Sequence, residues 1–438
     1  MISYIKAKNF KSFGDIYVNF KNKASEIKKL IIIYGENGIG KSNFTDVFDF
    51  LSMTLDTMNV RDLIRQFMER RPEEIGSKET FINLIKEDLF FDMEQNINKY
   101  KMVDCDDPMI LEYGFYLNDD EGTYTMEFDN KSIIHESLEY RLQSRKGKFF
   151  DISNEKTFLS PKVFTDVKES EAMQALISQY WGKHTFLSIL NHELDDKADQ
   201  YFDDKISEKL FDILDLFNKL HVLKRNGDDH QVKLNHRWRF DIDSGTIRKE
   251  RENFLNHIEK TINAFLTSTY EDIVKAEYER EYKEDKINYD LYIHKIIFGK
   301  ERTLKWSQES SGVKASVNLM LTLLDCRADD TLIIDEFDTG IHDLLIKKII
   351  EDIANQIEGQ IILTTHNTGI MESDVNKESF YVINKTEDGN KEIECILKYD
   401  NKINPKTNIR RQYLKGRYKG IPDLEDVSYD NVRKAYDE

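Results

Sequence analysis

Hydrophobic positions change their period several times along the chain. Residues 2–20 alternate apolar and polar side chains, which predicts two short strands around a Gly14-Asp15 turn. Leu30–Tyr34 is apolar without a break, as expected of a strand buried on both faces. After Ser42, the positions Phe44, Val47, Phe48 and Leu51 fall at helical spacing. Further helices are expected within about residues 60–100. Ile110–Leu117, Thr123–Phe128 and Ile133–Arg141 then predict a β-meander, its turns carried by the segments NDDEG and DNK.

From Asn191 to Leu220, the residues Leu194, Ala198, Tyr201, Ile206, Leu210, Ile213 and Phe217 trace one face of a helix or helix pair. Asp195, Asp196, Asp199, Asp203 and Asp204 cover the other, and a solvated face explains them better than a metal cluster. Phe254, Ile258, Ile262 and Phe265 mark another helix, and Ile287–Phe298 returns to strand alternation. Thr331–Ile334 and Ile361–Thr364 predict two more buried strands. No heptads are sustained, so no long coiled-coil arm is expected.

These elements make an α/β fold, with a mixed central β-sheet flanked by helices, a β-meander subdomain and a helical insertion. The expected divisions are a first lobe at 1–190 (with the helical insert at about 60–100 and the meander) and a helical insertion at 191–270. A second lobe at 271–398 and a basic C-terminal tail at 399–438 follow.

Length and charge narrow the classes. The 438 residues suffice for two lobes, or for one large core with an inserted module. A formal net charge of −18 disfavours indiscriminate nucleic-acid binding, which rests on phosphate neutralisation, but leaves room for a local basic track. No apolar run approaches the roughly 20 residues of a membrane span, and MISYIKAKNFKSF is strand-like rather than a secretory signal. Cys105, Cys326 and Cys395 lie far apart without metal-ligand spacing. The expectation is a reducing cytoplasm, with no disulfide framework and no membrane partner.

Each unbroken strand delivers polar residues to its C-terminal end. After Tyr34 comes Gly35-Glu36-Asn37-Gly38-Ile39-Gly40-Lys41-Ser42, then Asn43 and a helix. Such glycines let backbone N–H groups converge on phosphate oxygens, and the helix start adds its positive end. Lys41 is expected to reach β- and γ-phosphates and the Ser42 hydroxyl to ligate Mg²⁺. The strand Thr331–Ile334 ends in Asp335-Glu336, where Asp335 suits the Mg²⁺ hydration shell and Glu336 suits polarising an attacking water. Alone, an apolar run ending in two acids is common; paired with the loop it is specific.

Between them, Glu309-Ser310-Ser311-Gly312 precedes a helix with Val313, Val317, Met320 and Leu324 on its apolar positions. Hydroxyls and free N–H groups there make an anion site, although in isolation the segment reads as an ordinary N-cap. Its place just upstream of Thr331–Ile334 favours the anion site. His366 follows the third strand. A satisfied core histidine is the alternative, but strand ends of an α/β sheet converge on the ligand crevice, which favours a γ-phosphate contact.

In that order, the GxNGxGKSN loop, the Glu-Ser-Ser-Gly motif, the strand ending Asp-Glu and the TTHN strand resemble the ABC-type ATPases. Within these they resemble the soluble DNA-maintenance and defence branch of RecF, SMC and OLD proteins, not transporters. The resemblance implies hydrolysis of ATP to ADP and phosphate with Mg²⁺ as cofactor. It also implies catalytic roles for Glu336 and for His366 as switch histidine, with Ser310, Ser311 and Gly312 as the signature motif and Asp338 as the D-loop. Asn9–Phe13 looks like that branch's first strand. DEFDTGIHD and the QYLKGRYKGIP segment (Gln412–Pro422) are similar to short bacterial ATPases of anti-phage systems, among them the PARIS-type and AbiL/RloA-like ATPases. Motif resemblance covers about residues 1–50 and 300–422. For a Q-loop glutamine, Gln174 and Gln179 are the candidates.

By the same resemblance the signature motif lies too far from its own loop to touch one nucleotide. Two chains head to tail, as a homodimer or within a larger homo-oligomer, would place each motif against the other's ATP. The implied function is a defence ATPase whose ATP-dependent dimerisation and hydrolysis control a separate effector, a TOPRIM-type nuclease or toxin, with a phage-encoded trigger compatible. A RecF/SMC-like DNA-repair or DNA-clamp ATPase, with DNA as partner, is the alternative. A GTPase or small-molecule kinase is disfavoured by the signature and His366 segments.

OLD-type relatives place a TOPRIM nuclease after the ATPase. Seventy-two residues follow His366 here, without an Asp-x-Asp, so no nuclease is expected. Asp241 and Asp243 sit in an expected hairpin (HRWRFDIDSGTIR), where a turn is the better reading. The tail's basic run, Lys402, Lys406, Arg410, Arg411, Lys415, Arg417 and Lys419, is interleaved with Tyr413 and Tyr418. It suits docking of an acidic partner or nucleic acid, with packing on the protein's own acidic body as the alternative.

Overall fold

The computed structural model describes residues 1–59, 93–196, 205–224, 231–234, 238–400, 407–421 and 428–437. Strands β1 (Ile2–Phe10) and β2 (Phe13–Asn19) form a hairpin, and β3 (Leu30–Tyr34) leads through the glycine loop into α1 (Lys41–Leu55). After α2 (Met93–Tyr100) come β4 (Met109–Leu117), β5 (Asp120–Phe128), β6 (Ile133–Arg141), β7 (Lys146–Ser153) and β8 (Thr157–Leu159). These join the first hairpin in one antiparallel seven-stranded sheet, β2-β1-β4-β5-β6-β7-β8. The expected meander is therefore present but continuous with the N-terminal hairpin.

The first turn falls at Lys11-Ser12, not at Gly14-Asp15. Phe10 pairs with Phe13, and Lys11 takes a φ of +48°. Gly14 and Asp15 instead continue β2, fixed from outside by Asn390, whose Oδ1 accepts from Gly14 N (3.0 Å) and whose Nδ2 donates to the Asp15 carbonyl (2.9 Å).

Three helices follow, α3 (Val167–Tyr180), α4 (Phe186–Asp196) and α5 (Glu208–Asn218). Then come the short strands β9 (Leu220–Lys224), β10 (Gln231–Leu234), β11 (Trp238–Asp241) and β12 (Ser244–Arg248), and α6 (Glu252–Thr269). The segment 191–270, expected to be helical, thus carries four strands as well. Asp199, Asp203 and Asp204 lie outside the described residues. The expected hairpin around Asp241 and Asp243 does not form: β11 pairs with β10, and β12 with β14 (Lys286–Ile297). A turn joins β11 to β12, in which the Asp241 carboxylate accepts from the Asp243 N–H at 3.0 Å.

β13 (Ile273–Lys283), β14 and β15 (Lys300–Lys305) complete a sheet with β12, on which α6 lies. Leu255, Ile258 and Ile262 of α6 share a core with Ile273, Tyr278 and Leu291, so packing crosses the expected boundary at 270. The chain continues through α7 (Ser311–Leu324), β16 (Thr331–Asp335), α8 (Asp343–Ala354), β17 (Gln360–Thr365), β18 (Phe380–Lys385) and β19 (Lys391–Cys395). Helices α9 (Ile409–Leu414) and α10 (Tyr429–Asp437) end it.

The central sheet has the order β19-β18-β3-β17-β16-β9 and is mixed: every pair is parallel except β18 with β19. Leu30–Tyr34 of β3 and Leu332–Ile334 of β16 are apolar because both faces are covered there, whereas the edge strands β9 and β19 carry polar residues. Ile31 and Ile33 of β3 enter the core shared with α1 and the seven-stranded sheet, whereas Leu30, Ile32 and Tyr34 enter the core beneath α7 and α8. Parallel pairing puts the C-terminal ends of β3, β16 and β17 at one edge. Tyr34 stands beside Thr365, and Ile334 beside Leu363.

The tail packs on the protein's own body. Tyr413 and Tyr418 are buried, and Tyr413 donates to the Gly420 carbonyl at 2.6 Å. Arg417 pairs with Asp400, and Arg410 with Glu372 at 3.4 Å. Of the docking surface expected there, Arg411, Lys415, Lys419 and the paired Arg417 are exposed, while Lys402 and Lys406 lie outside the described residues.

Candidate nucleotide site

The glycine loop is shaped by its backbone. Gly38 and Gly40 have φ of +77° and +118°, which favour glycine, and a Cβ on Gly35 would meet Ile39 Cγ2 at 2.7 Å. Ile39 is buried in the first core and anchors the loop, while Asn37 and Gly38 face solvent. Lys41, nearly buried, folds back so that Nζ donates to the carbonyls of Gly35 (2.9 Å) and Glu36 (3.0 Å). Ser42 is exposed on the first turn of α1, and Asn43 Nδ2 donates to Ser12 Oγ at 2.6 Å.

Lys41 Nζ also lies 3.1 Å from His366 Nδ1, and His366 Nε2 lies 3.3 Å from Glu336 Oε1. An ammonium can only donate, so Nδ1 must accept and the ring proton sits on Nε2, directed at Glu336. Lysine, histidine and glutamate from three strand ends thus form one hydrogen-bonded chain. Burial lowers the Lys41 ammonium below its ordinary range, against the opposing pull of Glu336, Asp335, Asp338 and Glu36.

Thr364, in β17, fixes the Asp335 carboxylate and the Glu336 backbone. Its buried hydroxyl donates to Asp335 Oδ1 at 2.6 Å and accepts from the Glu336 N–H at 2.8 Å. Glu336 is held at φ +48°, a left-handed conformation that costs a non-glycine residue on the order of 1–3 kcal/mol. By sequence Thr364 is only part of a buried strand. A hydroxyl inside an otherwise apolar run, which must find a partner when buried, was the available signal. Valine at 364 keeps the shape but strands both partners, and is expected to cost about 1–3 kcal/mol of stability in a denaturant titration. Serine should recover most of it, and equal stability of Thr364→Val and the parent would contradict this role.

Burial pushes the Asp338 carboxyl above its ordinary range, opposed by the Thr365 hydroxyl and the His366 ring. Ser310 and Ser311 lie elsewhere. Ser310 caps α7 by accepting from Val313 N at 3.4 Å, both serines are exposed, and a Cβ on Gly312 would come within 3.1 Å of the Gly340 carbonyl. The structure therefore gathers the loop, Asp335, Glu336, Asp338 and His366. It sets Ser310, Ser311 and Gly312 beside the turn after Asp338, and among the described residues no hydrogen bond joins them to the loop. Glu309 is tied down by Lys295 (3.2 Å), which steadies the motif.

Gln174 and Gln179 sit on the exposed side of α3, not at the end of a central strand. The strand beside β16 is β9, and it brings Lys224 into register with Asp335. The Lys224 ammonium lies 2.5 Å from Asp46 and 2.5 Å from Asp49, both on α1. The sequence concealed this residue because LHVLK is short and continues the helical spacing that ends at Leu220.

The Ser42 hydroxyl at the start of α1 and the Asp335 carboxylate at the end of β16 are oxygen donors, a set that fits a hard cation such as Mg²⁺. A protein-family model described as "AAA domain, putative AbiEii toxin, Type IV TA system" matches residues 30–372. Among solved structures, the SMC head domain from Thermotoga maritima is 15% identical, with 90% of this chain and 98% of that one covered at a TM-score of 0.37. An SMC head bound to the C-winged helix domain of ScpA is 14% identical, covering 90% and 97% at a TM-score of 0.42. A head domain with an extended coiled coil, bound to the C-terminal domain of ScpA derived from Pyrococcus furiosus, is 13% identical, covering 90% and 95% at 0.39. None of the curated proteins matches the chain.

Proposed function

Because the chain belongs to the AAA-domain family described as putative AbiEii toxin, Type IV TA system, we propose that it is an ABC-type ATPase whose nucleotide-driven self-association controls a separate effector. The observation that carries the ATPase reading is the hydrogen-bonded chain Lys41–His366–Glu336 at the shared edge of three strands. Glu336 is the base that accepts a proton from the attacking water, and His366 orients that carboxylate through its Nε2–H. Lys41 exchanges its loop carbonyls for β- and γ-phosphate oxygens. Ser42 and Asp335 would hold Mg²⁺, which when bound neutralises charge on those phosphates. Asp338 and the exposed Ser310, Ser311 and Gly312 serve a nucleotide held by a second copy of the chain.

The toxin–antitoxin wording of the family description supports a defence role, in which the effector acts in trans. Phosphate release by the purified chain is the first test. Turnover should be lost in Lys41→Ala, and turnover indifferent to that substitution would contradict the site. Expression with the neighbouring gene should be toxic in a manner that Lys41→Ala relieves; toxicity unchanged by Lys41→Ala would separate the ATPase from the effector.

A further inference from the structure

Lys391, the first residue of β19, directs its ammonium toward the glycine loop. Its Nζ donates to Ser12 Oγ at 2.6 Å, and a Cβ placed on Gly40 would come within 3.1 Å of that Nζ and 3.2 Å of that Oγ. Ser12 also accepts from Asn43 Nδ2 at 2.6 Å. Both lone pairs of the hydroxyl are thereby taken by donors, and its own proton is left to donate. Three chain segments thus meet at Gly40, the residue before α1.

Among the described residues no carboxylate pairs with Lys391, and the charge it feels is Lys385, which with burial holds it below the ordinary lysine range. The partners of this half-buried cation are a neutral hydroxyl and, 5.7 Å away, the face of the Phe13 ring, and an anion would satisfy its charge better than either. The position is not incidental. Asn390, its neighbour, clamps Gly14 and Asp15 of β2, so the β18–β19 hairpin and the Lys11-Ser12 turn are locked together. The Ser12 O–H and the Nζ–H bonds of Lys391 not used on Ser12 are therefore donors held beside the same glycine.

We propose that Lys391 and Ser12 form a second anion contact of the nucleotide site, gripping the phosphate chain of a nucleoside di- or triphosphate from the Gly40 side. This rests on the nucleotide reading above and adds a residue from the C-terminal hairpin to it. In such loops the backbone cradles the α- and β-phosphates while the lysine reaches the β and γ. Lys391 therefore serves the part of the nucleotide that ATP and ADP share.

Calorimetric titration of the full chain with ATP and with ADP tests this. Lys391→Ala is expected to weaken both nucleotides by similar factors, about tenfold or more, as for loss of a charge-assisted hydrogen bond. Lys391→Arg should stay near the parent and Ser12→Ala should fall between, while Lys41→Ala should penalise ATP more than ADP. Thermal melting of each variant separates lost binding from lost folding, and the arginine and Ser12 variants carry the test should the alanine variant unfold. A parent that binds, beside a folded Lys391→Ala that binds indistinguishably, would overturn this assignment alone. A parent that binds neither nucleotide would overturn the nucleotide reading itself.

Discussion

Glutamine in place of Glu336 is expected to slow ATP turnover by about 10²–10⁴, the usual contribution of a positioned base, with nucleotide affinity close to the parent's. The geometry explains why the two effects separate. Glu336 is positioned through its backbone, by the Thr364 hydroxyl that accepts its N–H at 2.8 Å, and glutamine leaves that bond untouched. The amide oxygen of glutamine can still accept from His366 Nε2, so the Lys41–His366 contact survives. What is lost is the capacity to take a proton. Single-turnover phosphate release measures the chemical step, and titration with ATP measures the affinity. Unchanged turnover in Glu336→Gln would remove the role assigned to it.

Arginine in place of Ser311 is expected to abolish turnover while the chain still binds ATP. Ser311 is exposed on the first turn of α7, so a long charged side chain can be accommodated without disturbing the core beneath. In the proposed site the own-chain contacts to the phosphates come from the loop, Lys41, Ser12 and Lys391, and among the described residues no hydrogen bond joins any of them to this turn. Across an interface the same arginine would fill the space meant for the partner's nucleotide. Light scattering of Glu336→Gln should show a dimer with ATP and a monomer without it, and adding Ser311→Arg should remove the dimer. Turnover at the parent's rate in Ser311→Arg would place all the chemistry within one chain.

Much of this site could be read from the sequence because it lies at the ends of buried parallel strands. Leu30–Tyr34, Leu332–Ile334 and Ile361–Leu363 are apolar runs; the glycine loop and Lys41 follow the first, Asp335-Glu336 the second and, after Thr364-Thr365, His366 the third. The pattern fails where a distant partner decides. Gly14-Asp15 has ordinary turn chemistry, yet Asn390, 376 residues from Gly14, holds it extended. Lys224 was hidden because β9 is a five-residue strand following directly on α5, and only pairing with β16 makes it a strand. The turn at Asp241 was read correctly as a turn, but the strands on either side belong to different sheets. In the tail, charge alone could not tell an acidic partner from Glu372 and Asp400 of the same chain, and the two arginines chose the latter.

In the proposed function each ATP is completed by the signature motif of a second chain. Mixing tests it most directly. Lys41→Ala has a dead loop and an intact motif, and Ser311→Arg the reverse, so a mixed pair contains one site with both halves sound. Each variant alone should be inactive, and phosphate release should return when the two purified chains are combined. A mixture as inactive as its components, with both variants folded and Ser311→Arg still binding ATP, would contradict it.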